Sequence, residues 1–217
     1  MIGVIVPAHN EEALLAPCLA ALIYAARHEA LAGERVRIVV VLDTCDDFSG
    51  AIARAYGVET LTLKVRNVGI ARAAGADLLL AADARWLAFT DGDSRVSAGW
   101  LAAQLALQAD AVCGSIAVDD WTAHPLSVRE YFYKTYVDAD GHRHIHGANL
   151  GVSAEAYRRA GGFPPLPCSE DVALVERLVA SGARVAWSAA PRVITSARAA
   201  ARARGGFGDT LAAWAVQ

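Results

Sequence analysis

The 217-residue sequence has little net charge and no long apolar run. Its formal charge of −3 is too small to indicate a nucleic-acid-binding surface or an acidic tail. No apolar segment approaches the roughly twenty residues that span a bilayer, and the first residues lack the basic start of a secretory signal. We therefore expect a cytoplasmic protein with no transmembrane segment and no nucleic-acid partner.

Cysteines are few and too scattered to form a zinc or disulfide motif. They are Cys18, Cys45, Cys113 and Cys168, with no C-x-x-C pair. This spacing argues against structural zinc, and an intracellular setting argues against disulfides. We expect ordinary small side chains, mostly buried.

A glycine-rich loop is missing after the first predicted strand. A dinucleotide-binding oxidoreductase needs G-x-G-x-x-G there, whereas the chain reads Pro7-Ala8-His9-Asn10-Glu11. A nucleotidyltransferase would ordinarily carry a glycine-rich, basic loop at the same place, so this segment also argues against that class.

What is present is an alternation of strand-like and helix-like segments. Hydrophobic residues make up 55% of the chain, enough for one substantial domain. Strands are predicted at Ile2–Val6, Val36–Leu42, Glu59–Val65, Trp86–Thr90, Ala111–Val118 and Val185–Trp187. Helices are predicted at Glu11–His28, Ser49–Tyr56, Asn67–Ala82, Ala98–Ala109, Leu126–Val137, Ala154–Ala160 and Asp171–Ser181, the last with Ser169 as N-cap. This order predicts an α/β fold with a doubly wound, mostly parallel central sheet and helices on both faces.

Two aspartates follow the predicted strand Trp86–Thr90. Asp91 and Asp93 are two residues apart, so they can point the same way at the carboxyl end of that strand. Open α/β sheets bind ligands at this end, and a hard cation such as Mg²⁺ or Mn²⁺ would relieve the repulsion between the carboxylates. An ordinary Asp-Gly turn is the simpler alternative.

An ordered set of further motifs gives this pair a context. The set comprises Pro7-Ala8-His9-Asn10-Glu11, Leu42-Asp43, Asn67-Val68-Gly69 with Arg72, Asp91-Gly92-Asp93, Gly147-Ala148-Asn149, Gly161-Gly162-Phe163 and Glu170-Asp171. In that order, over roughly residues 2–195, the chain resembles a family 2 glycosyltransferase of the GT-A fold. The resemblance implies one domain over residues 1–196, with a nucleotide-binding half (1–110) and an acceptor-binding half (111–196). Residues 197–217 would be a peripheral Arg/Gly-rich segment.

The resemblance implies transfer of a single sugar from a nucleoside-diphosphate sugar to an acceptor hydroxyl. A UDP-sugar is the first expectation, with GDP- and dTDP-sugars open. The acceptor would be a small molecule or lipid-linked, and a lipid-linked acceptor would place the protein at the inner membrane face. A homodimer is an open alternative. So are a non-catalytic nucleotide-sugar binding protein and a nucleotidyltransferase of related fold.

The resemblance also assigns residues to the nucleotide and the metal. Nucleotide contacts fall on Pro7, Ala8, Asn10, Glu11, Asp43, Asn67, Arg72, Asp91 and Gly92. Asp93, with Asp91, would bind Mn²⁺ or Mg²⁺, without the histidine that many relatives carry near the last strand. Simpler interpretations stay open: Glu11 as a helix-start carboxylate, Asp43 as the cap of a turn, and Arg72 on a solvated helix face.

The second half would supply the catalytic and acceptor-side residues. An inverting transfer needs a carboxylate to accept the hydroxyl proton, and the resemblance favours Asp171 over Glu170. Retention is the open alternative, since some relatives of the GT-A fold use no clear enzymatic base. Asp171 is otherwise a helix-start acid. Gly147, Ala148, Asn149 and His146 would line the donor-sugar and acceptor site.

Two groups of basic residues complete the set of candidates. We expect His142, His144 and His146 in the acceptor cleft or at solvent rather than at a metal. Arg198, Arg202 and Arg204 would form a basic flap over the diphosphate or, alternatively, a solvated helix.

Overall fold

The computed structural model describes residues 1–198 and 206–215. The strands are β1 (Ile2–Ala8), β2 (Val36–Asp43), β3 (Glu59–Leu63), β4 (Trp86–Phe89), β5 (Arg95–Val96), β6 (Ala111–Ala117), β7 (Leu150–Ser153) and β8 (Val185–Ile194). The α-helices are α1 (Leu15–Ala25), α2 (Ser49–Ala55), α3 (Val68–Leu80), α4 (Trp100–Ala106), α5 (Leu126–Thr135), α6 (Ala154–Arg159), α7 (Glu170–Ala180) and α8 (Phe207–Trp214). Short 3₁₀ helices lie at Glu29–Leu31 and Gly147–Asn149.

The strands form one mixed sheet in the order β3-β2-β1-β4-β7-β6-β8-β5. Strands β3, β2, β1 and β4 are parallel, and β6 is parallel to β8. Strand β7 runs antiparallel to β4 and β6, and β5 runs antiparallel to β8. The predicted α/β fold with a mostly parallel sheet is confirmed. The carboxyl ends of β1, β2, β4, β6 and β8 therefore lie along one edge, where β7 begins.

Alternating side chains along the strands build a core on each face of the sheet. Val4 and Val40 pack with Leu19 of α1 and Leu101 of α4 on one face. Residues next to them in the chain, such as Ile5 and Val41, pack with Leu79 of α3 and Leu174 of α7 on the other face. This period of two in central strands is what helices on both faces require.

The first helix is shorter than its apolar pattern predicts. Helix α1 begins at Leu15 rather than Glu11 and ends at Ala25 rather than His28. The backbone N–H of Glu11 donates to Ser49 Oγ, and that of Glu12 donates to Asp47, so side chains of another loop bind these groups. The segment is thus held as a loop against the end of β2.

The second half departs further from the predicted elements. Strand β8 continues to Ile194 rather than ending at Trp187, with a register shift opposite Gly114/Ser115. The short strand β5 was not predicted; it pairs with the end of β8. Ser169 is the N-cap residue of α7, as predicted, but its φ is 57° and its side chain accepts no backbone N–H of the helix.

The C-terminal segment contains helix α8, which packs against α5. Leu211 is fully buried with Val118, Val128 and Ala197, so part of the segment expected to be peripheral contributes to a small core. All four cysteines are free, and Cys18 and Cys113 are buried. Over residues 1–198 and 206–215, the helices lack the combination of length and apolar character needed to cross a membrane.

Candidate functional site

The loops after β1 and β2 are joined by paired polar contacts. Asn10 adopts a left-handed conformation with φ of 55°. Its Nδ2 donates to Asp46 Oδ1 at 2.6 Å, and its Oδ1 accepts the N–H of Asp46 at 2.9 Å. Asp47 and Ser49 accept the adjacent Glu12 and Glu11 N–H groups. Asn10 therefore shapes the loop at the strand ends rather than presenting a free amide.

Sequence reasoning missed the partners on the second loop. Asp46, Asp47 and Ser49 received no role, although Asp47 and Ser49 just precede and begin α2. The Ser49 N–H donates to Asp47 Oδ1 at 2.9 Å. An Asp-x-Ser sequence directly before a helix is a local signal that could have identified this capping pair.

Asp43, at the end of β2, holds the loop that follows β3. Its carboxylate accepts the N–H groups of Val65, Arg66 and Asn67 at 2.8–2.9 Å. Burial by itself raises the pKa of Asp43, but these donors and the Thr44 hydroxyl outweigh it and leave the pKa lowered. The carboxylate thus binds the loop after β3, whereas the simpler alternative from the sequence was a cap of the turn that directly follows Asp43.

The Asn67-Val68-Gly69 segment begins α3 and contacts the loop before α7. Asn67 Oδ1 accepts the N–H of Ile70 and so caps α3, while its Nδ2 donates to Pro165 O. A Cβ at Gly69 would lie 2.7 Å from Leu166 O, so only glycine permits this approach. The polar groups of Asn67 are thus used in helix capping and loop packing.

Arg72 connects the aspartates after β4 to the acidic pair that begins α7. Its side chain is 4% exposed; Nη2 donates to Asp91 Oδ1 at 2.5 Å, and Nη1 pairs with Glu170. A Cβ at Gly147 would lie well under 3.0 Å from the guanidinium. The interpretation of Arg72 as a residue on a solvated helix face is therefore wrong. Arg72 is a buried counter-ion for Asp91 and Glu170.

A second arginine, Arg198, binds the other carboxylates at this edge. Nη1 and Nη2 each donate to Glu11 at 2.7 Å, and Nη2 also donates to Asp93 Oδ2 at 2.5 Å. Burial, together with Asp91 and Glu11, raises the pKa of Asp93 to about 6, although Arg198 and Ser94 act in the opposite sense. The Glu11 carbonyl accepts the N–H groups of Leu14 and Leu15 in the turn that leads into α1, while its carboxylate is paired with Arg198. Arg202 and Arg204 lie outside the described residues.

Asp171 lies beside Glu170 but in a different environment. Glu170 is buried against Arg72, whereas Asp171 is only half-buried. Asp171 Oδ2 accepts the N–H of Gly147 at 2.6 Å, and Oδ1 accepts its neighbour's N–H, from Val172, at 2.8 Å. The structure thus brings Asp171 and Gly147 together and fixes the carboxylate at the start of α7.

The remaining residues around Gly147 pack into the interior. Asn149 is fully buried; its Oδ1 accepts from Trp100 Nε1 at 2.8 Å, and its Nδ2 donates to Ser115 O and Pro191 O. Ala148 is also buried. Because its amide is bonded on both ends within the protein, Asn149 holds β6, β8 and α4 together and does not face a ligand.

The three histidines form a stack with Tyr136 near the end of β6. The His144 ring lies 4.1 Å from the Tyr136 ring at 8°, and His146 Nε2 lies 3.0 Å from the Tyr136 hydroxyl. His142 is buried, with Nε2 at 3.3 Å from Ser188 O. Burial, and secondarily the neighbouring histidines, lowers the pKa of His146 to about 3. The expected position in a cleft or at solvent is wrong for His142, because its ring is buried against Ser188 O and the Trp187 ring.

The loops gathered at this edge carry the motifs of a known family in the expected order. A sequence model described as glycosyl transferase family 2 matches residues 3–160. The chain belongs to glycosyl transferase family 2. Among curated proteins, none matches the sequence significantly.

Solved structures similar to this family 2 chain share its fold at low sequence identity. TarS of S. aureus in complex with UDP-GlcNAc has a TM-score of 0.65 at 16% identity, covering 90% of this chain and 58% of that chain. The mannosyltransferase PcManGT of Pyrobaculum calidifontis, in complex with GDP-Man and Mn²⁺, has a TM-score of 0.67 at 18% identity, covering 94% and 58%. Glucosyl-3-phosphoglycerate synthase of Mycobacterium tuberculosis, in complex with phosphoglyceric acid, has a TM-score of 0.62 at 18% identity, covering 100% and 76%. The chain thus spans just over half the length of the first two.

Asp93 of this family 2 chain can bind a divalent cation if Arg198 first leaves its carboxylate. Carboxylate oxygen is the ligand that Mg²⁺ and Mn²⁺ prefer, and one or two carboxylates with substrate phosphates suffice. Asp93 offers such an oxygen, but Oδ1 accepts the Ser94 hydroxyl at 3.1 Å and Oδ2 accepts Arg198. Within the described ranges, no three His, Cys, Asp or Glu side chains are grouped to hold a metal. Asp93 can therefore ligate a cation through Oδ2 when Arg198 releases it.

Proposed function

We propose that this protein transfers a single sugar from a nucleoside-diphosphate sugar to an acceptor hydroxyl, with inversion at the anomeric carbon and Asp171 as general base. Membership of glycosyl transferase family 2 supports the reaction class. The observation that carries the choice of base is the contrast between a buried, arginine-paired Glu170 and a half-buried Asp171 at the same edge of the sheet.

The environment of Asp171 suits a base that accepts a proton from a hydroxyl. Its carboxylate is oriented by the N–H groups of Gly147 and Val172, and half-exposure leaves it reachable from solvent. Glu170 is enclosed, and its charge is matched by Arg72. In an inverting transfer the base takes the acceptor proton while the acceptor oxygen bonds to the anomeric carbon. The bond from that carbon to the diphosphate oxygen breaks through an oxocarbenium-like state, and the nucleoside diphosphate leaves.

The donor would lie along the ends of β1, β2 and β4. Pro7, Ala8 and Gly92 line this edge with little side-chain bulk, and a Cβ at Gly92 would come within 3.4 Å of Pro7 O. Asp91 is the most exposed carboxylate of the D-x-D motif, with 35% of its side chain accessible. Mn²⁺ or Mg²⁺ held by Asp93 would, when bound, neutralise charge on the diphosphate leaving group.

The donors, the acceptor and the location that we propose are those expected from the sequence. UDP-GlcNAc and GDP-Man are bound in two structural neighbours, so UDP- and GDP-sugars are the first donors to try, followed by dTDP-sugars. We propose a small-molecule or lipid-linked acceptor and a cytoplasmic protein, peripheral at the inner membrane face for a lipid-linked acceptor.

The test is donor turnover across UDP-, GDP- and dTDP-sugars with Mn²⁺ or Mg²⁺, repeated with Asp171→Asn. We expect kcat to fall by about 10²–10⁴-fold, the usual contribution of a general base, while donor Kd from calorimetry changes less than about threefold. Glu176→Gln, an exposed acid on the same helix, is the matched control.

Two outcomes would contradict the proposal in different ways. If Asp171→Asn retains turnover, another group is the base. If the unmodified protein binds a nucleotide sugar but consumes none of the donors, the protein is a non-catalytic binder and the transferase proposal is wrong.

A further inference from the structure

Arg198 lies between the carboxylates of Glu11 and Asp93 and contacts both. Its guanidinium makes a two-pronged contact with Glu11, both at 2.7 Å, and a third contact with Asp93 Oδ2 at 2.5 Å. The side chains of Glu11 and Asp93 are only 7% and 11% exposed. The Arg198 side chain is 25% exposed, so it covers two enclosed carboxylates from the mouth of the site.

The charges around the site explain why an arginine is needed there. Arg72 already pairs with Asp91 and Glu170. Among the residues that the structure describes, Arg198 is the basic side chain paired with Glu11 and Asp93, and leaving two enclosed carboxylates unpaired is costly. A bidentate guanidinium satisfies both of them at once.

The backbone before Arg198 is held in place, so that the side chain can leave without a change in the chain path. Ala197 is buried, and its carbonyl lies 2.6 Å from His124 Nε2. The Thr195 N–H donates to Ala117 O, and its hydroxyl oxygen lies 2.9 Å from that of Ser94. Rotation of the long arginine side chain is then sufficient to free Oδ2 of Asp93.

We propose that Arg198 and a divalent cation compete for Oδ2 of Asp93, so that Arg198 sets the affinity of the donor-free protein for Mn²⁺. A cation and the guanidinium compete for this oxygen, because two positive charges held at one oxygen repel each other. The donor-free protein therefore binds Mn²⁺ weakly.

A nucleoside diphosphate would relieve this competition. Phosphate oxygens are preferred bidentate partners of arginine, so a diphosphate at this edge draws Arg198 away and leaves Asp93 to the metal. The two ligands then bind with positive coupling, which is reciprocal. This second step rests on the proposed nucleotide-sugar donor, whereas the competition in the free protein does not.

The test measures Mn²⁺ Kd by electron paramagnetic resonance of free Mn²⁺ in the wild type, Arg198→Gln and Arg198→Lys. We expect at least tenfold tighter Mn²⁺ binding by the donor-free Arg198→Gln protein and an intermediate value for Arg198→Lys, which keeps a single point charge. Arg192→Gln, which removes an exposed pair with Asp138, should stay within twofold of the wild type. Adding Asp93→Asn to Arg198→Gln should abolish the gain.

Unchanged or weaker Mn²⁺ binding by folded Arg198→Gln or Arg198→Lys, or a gain that survives Asp93→Asn, overturns the competition. In a second arm, saturating UDP or GDP should tighten Mn²⁺ binding more in the wild type than in Arg198→Gln. An equal effect in both proteins overturns the coupling. If neither nucleotide binds, the proposed donor class fails, while the result in the donor-free protein still decides the competition.

Discussion

Replacing Gly147 with alanine should break the cluster that connects the nucleotide edge to the acidic pair. The new Cβ would lie well under 3.0 Å from three atoms of the Arg72 guanidinium, closer than real Cβ atoms come. The backbone of Gly147 does not need positive φ, so the cost arises from contact and not from backbone strain. Arg72 is enclosed and must move away from Asp91 and Glu170.

The expected magnitude follows from these contacts. Overpacking typically costs about 1–3 kcal/mol, and separating a buried pair costs about 3–5 kcal/mol. Because Asp91 is partly exposed and can be rehydrated, we expect a loss of about 2–4 kcal/mol in the free energy of unfolding. Gly147 also orients Asp171, and a displacement of about 1 Å can cost about 10²-fold in rate, so kcat should fall about 10–100-fold.

The assay is urea denaturation together with donor turnover for Gly147→Ala, with Gly99→Ala as control. A Cβ at Gly99 would meet only His28 Nε2 at 3.7 Å, so that variant should stay within about 0.5 kcal/mol of the wild type. If the methyl group acts through Arg72, its effect should shrink in an Arg72→Lys background. Wild-type stability and turnover in Gly147→Ala, or full additivity with Arg72→Lys, would refute the reasoning.

Two further predictions concern the half-buried His146 and the fully buried Asn149. The pKa of His146 is lowered to about 3, below its ordinary 6.5, so the unfolded chain binds a proton that the folded protein does not. Protonation of the unfolded chain therefore lowers the free energy of unfolding as pH falls below 6.5, by about 2 kcal/mol at pH 5. The difference between the urea midpoints at pH 7.5 and pH 5 should be smaller in His146→Gln than in the wild type. The same difference in both proteins would contradict the assignment. Asn149→Leu leaves the Trp100 N–H and two carbonyls unbonded, so unfolding by urea should show a loss of about 3 kcal/mol or more; a loss below about 1 kcal/mol would show that the buried amide is not needed.

The central strands and the order of motifs could be predicted because their signals are local. An aliphatic run such as Val36–Leu42 matches β2 closely, since a strand covered on both faces needs apolar residues at every position. Asp43 directly follows this run, because a charged residue is tolerated only where the covered part of the strand ends. The bounds of helix α1 and strand β8 were harder to predict from the sequence. The start of α1 depends on hydrogen bonds to another loop, and the end of β8 depends on pairing with β5.

Individual roles in the site followed the local signals less closely. Asn67 and Gly69 form a recognisable motif, yet the structure uses them to cap α3 and to admit the Leu166 carbonyl. Asn149 belongs to another motif and is bonded wholly within the core. A motif records that a residue type is needed at a position, but it does not say whether the need is a ligand or a neighbouring chain segment.

The sequence by itself determined the alternation of strands and helices, the acids at the strand ends and the family to which the chain belongs. Only the tertiary structure decided which of those acids are buried and which basic residue each one pairs with. Arg72 encloses Glu170 from 98 positions away, and Arg198 reaches Glu11 across 187 positions. Burial and ion pairing depend on such long-range contacts, which no local pattern encodes. That is why the structure distinguishes the half-buried Asp171 from the adjacent Glu170 and places an arginine on Asp93.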